Sequence, residues 1–140
     1  MLRFVFPALL GLTCVLMWGG GASADGSAEQ GKALFSQCDA CHEIGAKARN
    51  RTGPILNNIV GRDAATRTGF VYSRGMRNAA SEGLVWTEEA LDGYIADPRG
   101  FVRGNRMAYA GMRDEDSRKD LIAFLATLKF DEPIEERPYR

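Results

Sequence analysis

The chain has 140 residues, with 18 lysines and arginines against 18 aspartates and glutamates, a single histidine and three cysteines. Balanced charge gives no electrostatic footprint for nucleic acid as the main partner. The length suits one folded domain, and no segment repeats or runs to low complexity.

The first residues have the form of an export signal. Arg3 supplies the positive start, Ala8, Leu9, Leu10, Leu12, Val15, Leu16 and Met17 an apolar run, and Ala22-Ser23-Ala24 an A-x-A cleavage site. Residues 1–24 are therefore expected to be removed and residues 25–140 to form the mature domain, in a bacterial periplasm. The apolar run falls short of the ~20 residues a spanning helix needs, so the cleaved chain is not expected to be an integral membrane protein. Cys14 follows Gly11-Leu12-Thr13, a poor lipobox, and is expected to leave with the signal. Cys38 and Cys41 are then the cysteines of the mature chain, which carries one acid in excess.

Ser27-Ala28-Glu29-Gln30 resembles a capping box, and Ala28, Gly31, Leu34, Phe35 and Cys38 follow at helical spacing. A glycine on that apolar face, costing roughly 1 kcal/mol of propensity against alanine, suggests that another backbone passes close by. The C-terminal end of this helix is expected to carry Cys38-Asp39-Ala40-Cys41-His42. A C-x-x-C-H run reads as a c-type haem attachment site. Its thiols add to two vinyl groups of one porphyrin, and the adjacent imidazole reaches the iron. On a helix, positions i, i+3 and i+4 share a face, so both sulfurs and the ring can meet one flat macrocycle. Zinc would need two more ligands, and a dithiol oxidoreductase a βαβ pattern; the chain has neither.

From Gly45 to Gly83 turn and polar residues dominate, and an irregular segment is expected, wrapped around the haem edge. Thr87 is a good N-cap for a helix with Leu91, Tyr94 and Ile95 on its apolar side, ending at Asp97-Pro98. Arg99 to Gly111 is expected to be irregular. Asp114 caps a last helix that buries Leu121, Ile122, Phe124, Leu125 and Leu128, and a charged surface tail occupies residues 131–140. The fold class expected is all-α: short helices and irregular loops around one covalent haem.

His42 being the single histidine, the sixth iron position is either open or filled by a softer ligand such as a thioether. Met107, in the loop after Gly104-Asn105-Arg106, is the leading candidate. Met112 is the runner-up, and Met76 lies too early in the haem-edge loop. Methionine–histidine ligation raises the reduction potential.

Taken in order, these segments resemble the small soluble monohaem cytochromes c of bacteria and mitochondria, over nearly all of Gly31 to Leu128. Beside the attachment motif, Thr52-Gly53-Pro54-Ile55-Leu56 is similar to the family's T-G-P-x-L segment, which implies that the Pro54 carbonyl accepts the bond from the ligand histidine's other nitrogen. Gly61-Arg62 resembles the glycine–arginine pair that faces a haem propionate. Tyr72, in Gly69-Phe70-Val71-Tyr72-Ser73, and Trp86 resemble the hydroxyl and indole donors to propionates. Tyr94 resembles the tyrosine near the methionine sulfur. Residues 104–111 resemble the methionine loop. Arg103, Asn105 and Arg106 stand where the family usually has proline, threonine and lysine, and Asn105 is expected to donate to a propionate. The spacing from Tyr72 to Trp86 points to a bacterial member.

The resemblance implies a soluble one-electron carrier with haem c as cofactor, monomeric, cycling Fe(II)/Fe(III) and transforming no substrate. Its expected partners are redox proteins: a membrane cytochrome complex, an oxidase, a dehydrogenase or a reaction centre. Lys47, Arg49, Arg51, Arg103 and Arg106 are expected to rim the haem edge as a basic docking face. The alternatives are an electron-accepting subunit dedicated to one dehydrogenase, or a haem enzyme or gas binder with an open sixth site.

Overall fold

The structure, a computed structural model, describes residues 26–130. The expected signal with Cys14 and the charged tail lie outside the described residues. Among the described residues five helices form in chain order: α1 (Ala28–Leu34), continued by a 3-10 turn over Phe35–Gln37, α2 (Arg74–Ser81), α3 (Glu88–Ala96), α4 (Pro98–Phe101) and α5 (Glu115–Thr127). Strand pairing among the described residues is limited to one antiparallel bridge, Asp63 with Val85. The all-α expectation is met.

The frame is the crossing of α1 and α5. A Cβ on Gly31 would lie 1.9 Å from the Asp120 carbonyl oxygen and 2.8 Å from Phe124 Cβ; only glycine lets the backbones approach so closely. Phe35 meets Phe124 edge to face beside the crossing, ring centres 5.7 Å apart. The capping box is half made. Ser27 Oγ accepts the Gln30 N–H, but the Ser27 N–H donates to Asp120 Oδ1 at 2.6 Å instead of to Gln30. The start of α1 is thereby tied to α5.

Thr87 and Asp114 cap α3 and α5, accepting the N–H of Ala90 and of Ser117. Leu91, Tyr94 and Ile95 of α3, and Leu121, Ile122, Phe124, Leu125 and Leu128 at α5, are buried in one core. Full burial of a side chain such as Leu121 stabilises by roughly 1.5–3 kcal/mol. Arg118 of α5 braces α3 by pairing with Asp92 at 2.6 Å. At the far end Asn58 and Phe130 exchange hydrogen bonds, the Asn58 amide giving to the Phe130 carbonyl and its oxygen taking the Phe130 N–H.

Two stretches expected to be irregular contain helix. Within 45–83, α2 starts where Ser73 Oγ accepts the Met76 N–H at 3.1 Å. It buries Met76 alone among its residues, too little for a sequence pattern to show. In the stretch after α3, Asp97 ends that helix and starts α4, accepting the Gly100 N–H at 3.0 Å, with Pro98 in the first turn where its missing N–H costs nothing.

Candidate haem-binding site

Helix α1 stops at Leu34, so the C-x-x-C-H run is not on it. The 3-10 turn delivers the chain into a further turn, in which the N–H groups of Cys41 and His42 both donate to the Cys38 carbonyl at 3.0 Å. The His42 bond keeps the i to i+4 relation that a shared face requires, so the three side chains keep helix-like register without a regular helix. Cys38 is half-buried, packed on the core, and Cys41 is exposed; neither is in a disulfide. Burial first, then the charges of Asp39 and Cys41, pushes the Cys38 thiol up to about 11.

The imidazole is fixed from two sides. His42 Nδ1 lies 2.7 Å from the Pro54 carbonyl oxygen. A carbonyl only accepts, so Nδ1 carries the hydrogen and the Nε2 lone pair is left for a metal. The ring lies flat on Gly53, where a Cβ would be 2.4 Å from Cε1 and 2.7 Å from Nε2. Burial lowers the pKa of His42, opposed by the bond to Pro54, and this favours the neutral ring that a metal needs. The Gly53 N–H in turn donates to the Cys41 carbonyl at 2.9 Å, joining the T-G-P segment to the motif.

Met107 is half-buried and packs, like Cys38 and Tyr72, against the core that holds Trp86 and Tyr94. Met76 and Met112 are buried within that core, 7% exposed each, and the Met112 N–H is bonded to the Ile95 carbonyl. These two are buried among packing side chains; among the three described methionines Met107, on its loop, is the half-buried one. Gly75 of α2 and Gly111 hold that loop close. A Cβ on Gly75 would meet the Arg103 carbonyl oxygen at 2.0 Å, and one on Gly111 the Ala96 carbonyl oxygen at 2.2 Å.

Asn105 is committed within the loop. Its Nδ2 donates to the carbonyls of Pro98 and Val102, and its Oδ1 accepts the Met107 N–H at 2.8 Å. These three bonds staple the methionine loop. Two residues after Met107, the Tyr109 hydroxyl donates to Gln37 Oε1 at 2.9 Å, one residue before Cys38. That bond fastens the methionine loop to the attachment segment and has no signal in the sequence, because each partner is an ordinary surface residue.

Trp86 and Tyr94 stack at 4.9 Å between ring centres, tilted by 51°. Burial pushes the Tyr94 phenol up to about 12. Arg62 donates to the carbonyls of Asn57 and Ile55, and the Tyr72 hydroxyl accepts the Arg67 N–H at 3.2 Å. Asn57, wholly buried, exchanges bonds with the backbone of Gly45 through both ends of its amide. It organises this corner without a signal in the sequence, since an asparagine in a polar segment looks like an ordinary turn residue.

The five basic residues of the expected docking face are all exposed, yet they are not five free charges. Arg49 and Arg51 each lie 3.8 Å from the one Glu43 carboxylate, and Arg106 donates to the Val71 carbonyl.

Two thiols in helix-like register, a neutral imidazole presenting Nε2 and a thioether on a stapled loop form a donor set that fits a covalently held haem. Relatives agree. The cytochrome c family model matches residues 28–129. The chain is 42% identical over 112 residues to cytochrome c2 of Rhodomicrobium vannielii, covering 80% of this chain and 87% of that one. It is 40% identical over 102 residues to cytochrome c-550 of Ancylobacter novellus, covering 73% and 95%. The solved structure of cytochrome c2 from Rhodospirillum centenum superposes with a TM-score of 0.71 at 34% identity, covering 74% of this chain and 99% of that one.

Proposed function

Since the chain belongs to the cytochrome c family, and so is an electron carrier rather than an enzyme, we propose that it holds one haem through thioethers to Cys38 and Cys41, with His42 and Met107 on the iron. When bound, the haem supplies a one-electron Fe(II)/Fe(III) couple. Pro54 fixes the His42 tautomer and raises the basicity of Nε2. Arg62, Tyr72 and Trp86 stabilise the propionates, offsetting the burial of carboxylates. Tyr94 stands near the sulfur of Met107, and Asn105 contributes through the loop, setting where that sulfur sits. With His42 and Met107 as its ligands, the iron would be closed to oxygen and peroxide.

The observation that carries this reading is the fixing of His42, laid on Gly53 and bonded to Pro54, while Met107 is half-buried on a tied loop and Met76 and Met112 are buried in packing. Exchange of Met107 for histidine tests it. Met107→His is expected to lower the reduction potential, because a thioether favours the ferrous state more than an imidazole does. An unchanged potential would assign the sixth position to Met112 or leave it open.

We place the mature protein in the bacterial periplasm as a soluble monomer, cleaved at Ala24 or close to it, which N-terminal sequencing of the purified protein checks. Its partners are redox proteins: a membrane cytochrome complex, an oxidase, a dehydrogenase or a reaction centre. Lys47, Arg49, Arg51, Arg103 and Arg106 form the docking face, with Glu43 moderating its charge. Electrostatic steering of this kind weakens with salt, so an electron-transfer rate with the native partner that ignores ionic strength would refute the face.

A further inference from the structure

The loop that carries Met107 is bounded by two glycines in the left-handed region, Gly104 at φ +76 and Gly111 at φ +104. Its ends are held by backbone: the Asn105 N–H donates to the Val102 carbonyl at 3.2 Å and the Met112 N–H to the Ile95 carbonyl at 2.9 Å. Between them residues 106–111 form no helix, and side chains tie the segment to the rest of the chain. On one side of Met107, Arg106 donates to the Val71 carbonyl. On the other, the Tyr109 hydroxyl donates to Gln37 Oε1 at 2.9 Å, across 72 positions of sequence. Gln37 is firmly placed. It closes the 3-10 turn, and the next N–H, that of Cys38, donates to the Phe35 carbonyl at 2.8 Å. Phe35 is buried against Phe124 of α5. The partner of Tyr109 thus belongs to the frame of α1 and α5, one residue from the Cys38 thiol.

We propose that Tyr109 is a positioning residue for the sixth ligand: its hydroxyl latches the methionine loop to Gln37, and opening of this latch is the step that lets Met107 leave the iron. The inference rests on the assignment of Met107 proposed above. A loop turns about a few positions that absorb the change in φ and ψ. With both ends of this loop fixed, the glycines at 104 and 111 are those positions. Tyr109 lies between them, two residues beyond Met107, so a swing that withdraws the sulfur carries the phenol off Gln37. The bond must break for the sulfur to move, and its free energy adds to the cost of opening. Release is a change of coordination alone: the sulfur keeps its lone pair, and no electron or proton is transferred. Gln37 is exposed and Tyr109 half-buried, so water competes for the bond. Its effect then belongs to the lower part of the usual range, about 2- to 5-fold in the opening equilibrium.

The test uses the haem-loaded ferric protein, with imidazole as the entering ligand. Tyr109→Phe keeps the ring and removes the hydroxyl, and is expected to speed displacement of Met107 about 2- to 5-fold. Gln37→Ala should do the same, and Gln37→Glu, which keeps an acceptor oxygen, should return toward the parent's rate. The double variant Tyr109→Phe/Gln37→Ala should be no faster than either single variant, because both changes remove one bond; a loop merely loosened at two places would multiply the two effects. In a crystal structure of the haem-loaded parent, the Tyr109 hydroxyl should lie within hydrogen-bond distance of the Gln37 amide oxygen, a readout that needs no variant to fold. A Tyr109→Phe rate equal to the parent's, multiplied effects in the double variant, or a crystal in which the two groups lie apart each overturns the latch. A parent that takes up imidazole as fast as Met107→Ala does overturns the Met107 assignment and this proposal together.

Discussion

The amide of Asn105 makes three hydrogen bonds inside the methionine loop, two given and one accepted from Met107. At a net 0.5–1.5 kcal/mol per bond, Asn105→Ala is expected to cost about 1.5–4.5 kcal/mol of loop stability, read as faster displacement of Met107 by imidazole in the ferric protein. Asn105→Asp keeps the acceptor for the Met107 N–H and loses the donors, and should fall between parent and alanine variant. Tyr94 sets an alkaline limit. Its phenol titrates near 12 in the folded protein and near 10 when exposed. The stability it contributes is therefore complete below pH 10, where both states are neutral, and is lost as pH rises through about 12, on the order of 2–3 kcal/mol. In unfolding experiments between pH 9 and pH 12, roughly the window these values define, Tyr94→Phe should flatten the decline; an identical slope would mean that other groups govern it. At this scale the attachment motif and Pro54 are legible in the sequence because their chemistry is local: the residues sit a few positions apart and name their own roles. Asn57 and the Gln37–Tyr109 bond are not, because each matters only once loops distant in sequence have been folded onto one another.

Helices α1 and α5 depend on a missing side chain. Gly31→Ala would gain roughly 1 kcal/mol of helix propensity, yet its Cβ would lie 1.9 Å from a backbone oxygen that no rotamer change can move. The clash wins, and a net loss of about 1–3 kcal/mol is expected in denaturant unfolding; a stabilised variant would show that the helices separate readily at this point. That close approach is legible in the sequence, because a glycine on an apolar helical face gives up both propensity and packing unless a second backbone fills the space. The length of α1 is not. The apolar spacing runs on through Cys38, while the helix ends at Leu34 and tightens, a change that hydrophobic pattern does not report. Helix α2 is hidden for the opposite reason. Its sequence, Arg74-Gly75-Met76-Arg77-Asn78-Ala79-Ala80-Ser81, offers one buried anchor and a glycine. Its place comes from the methionine loop packed against Gly75, a tertiary cause with no local signature.

At the scale of the whole molecule, the helices among the described residues run from 4 to 13 residues, lengths that are marginal alone in water. The core that unites them also supports Cys38, Tyr72 and Met107, so the walls of the proposed haem site and the protein interior are continuous. A porphyrin filling that space would add buried apolar area at roughly 25 cal/mol per Å², and the proposed thioethers would hold it there. Mature protein produced without haem is accordingly expected to lack most of its helical circular dichroism and to melt without a cooperative transition; a native-like, cooperative signal would show that the chain folds on protein contacts alone. The account as a whole stands on a closed iron, with His42 on one side and Met107 on the other. Carbon monoxide mixed with the native ferrous protein at neutral pH tests this most directly. The account predicts a visible spectrum that does not change on mixing in the parent and rapid carbon monoxide binding in Met107→Ala; rapid binding by the parent would contradict it.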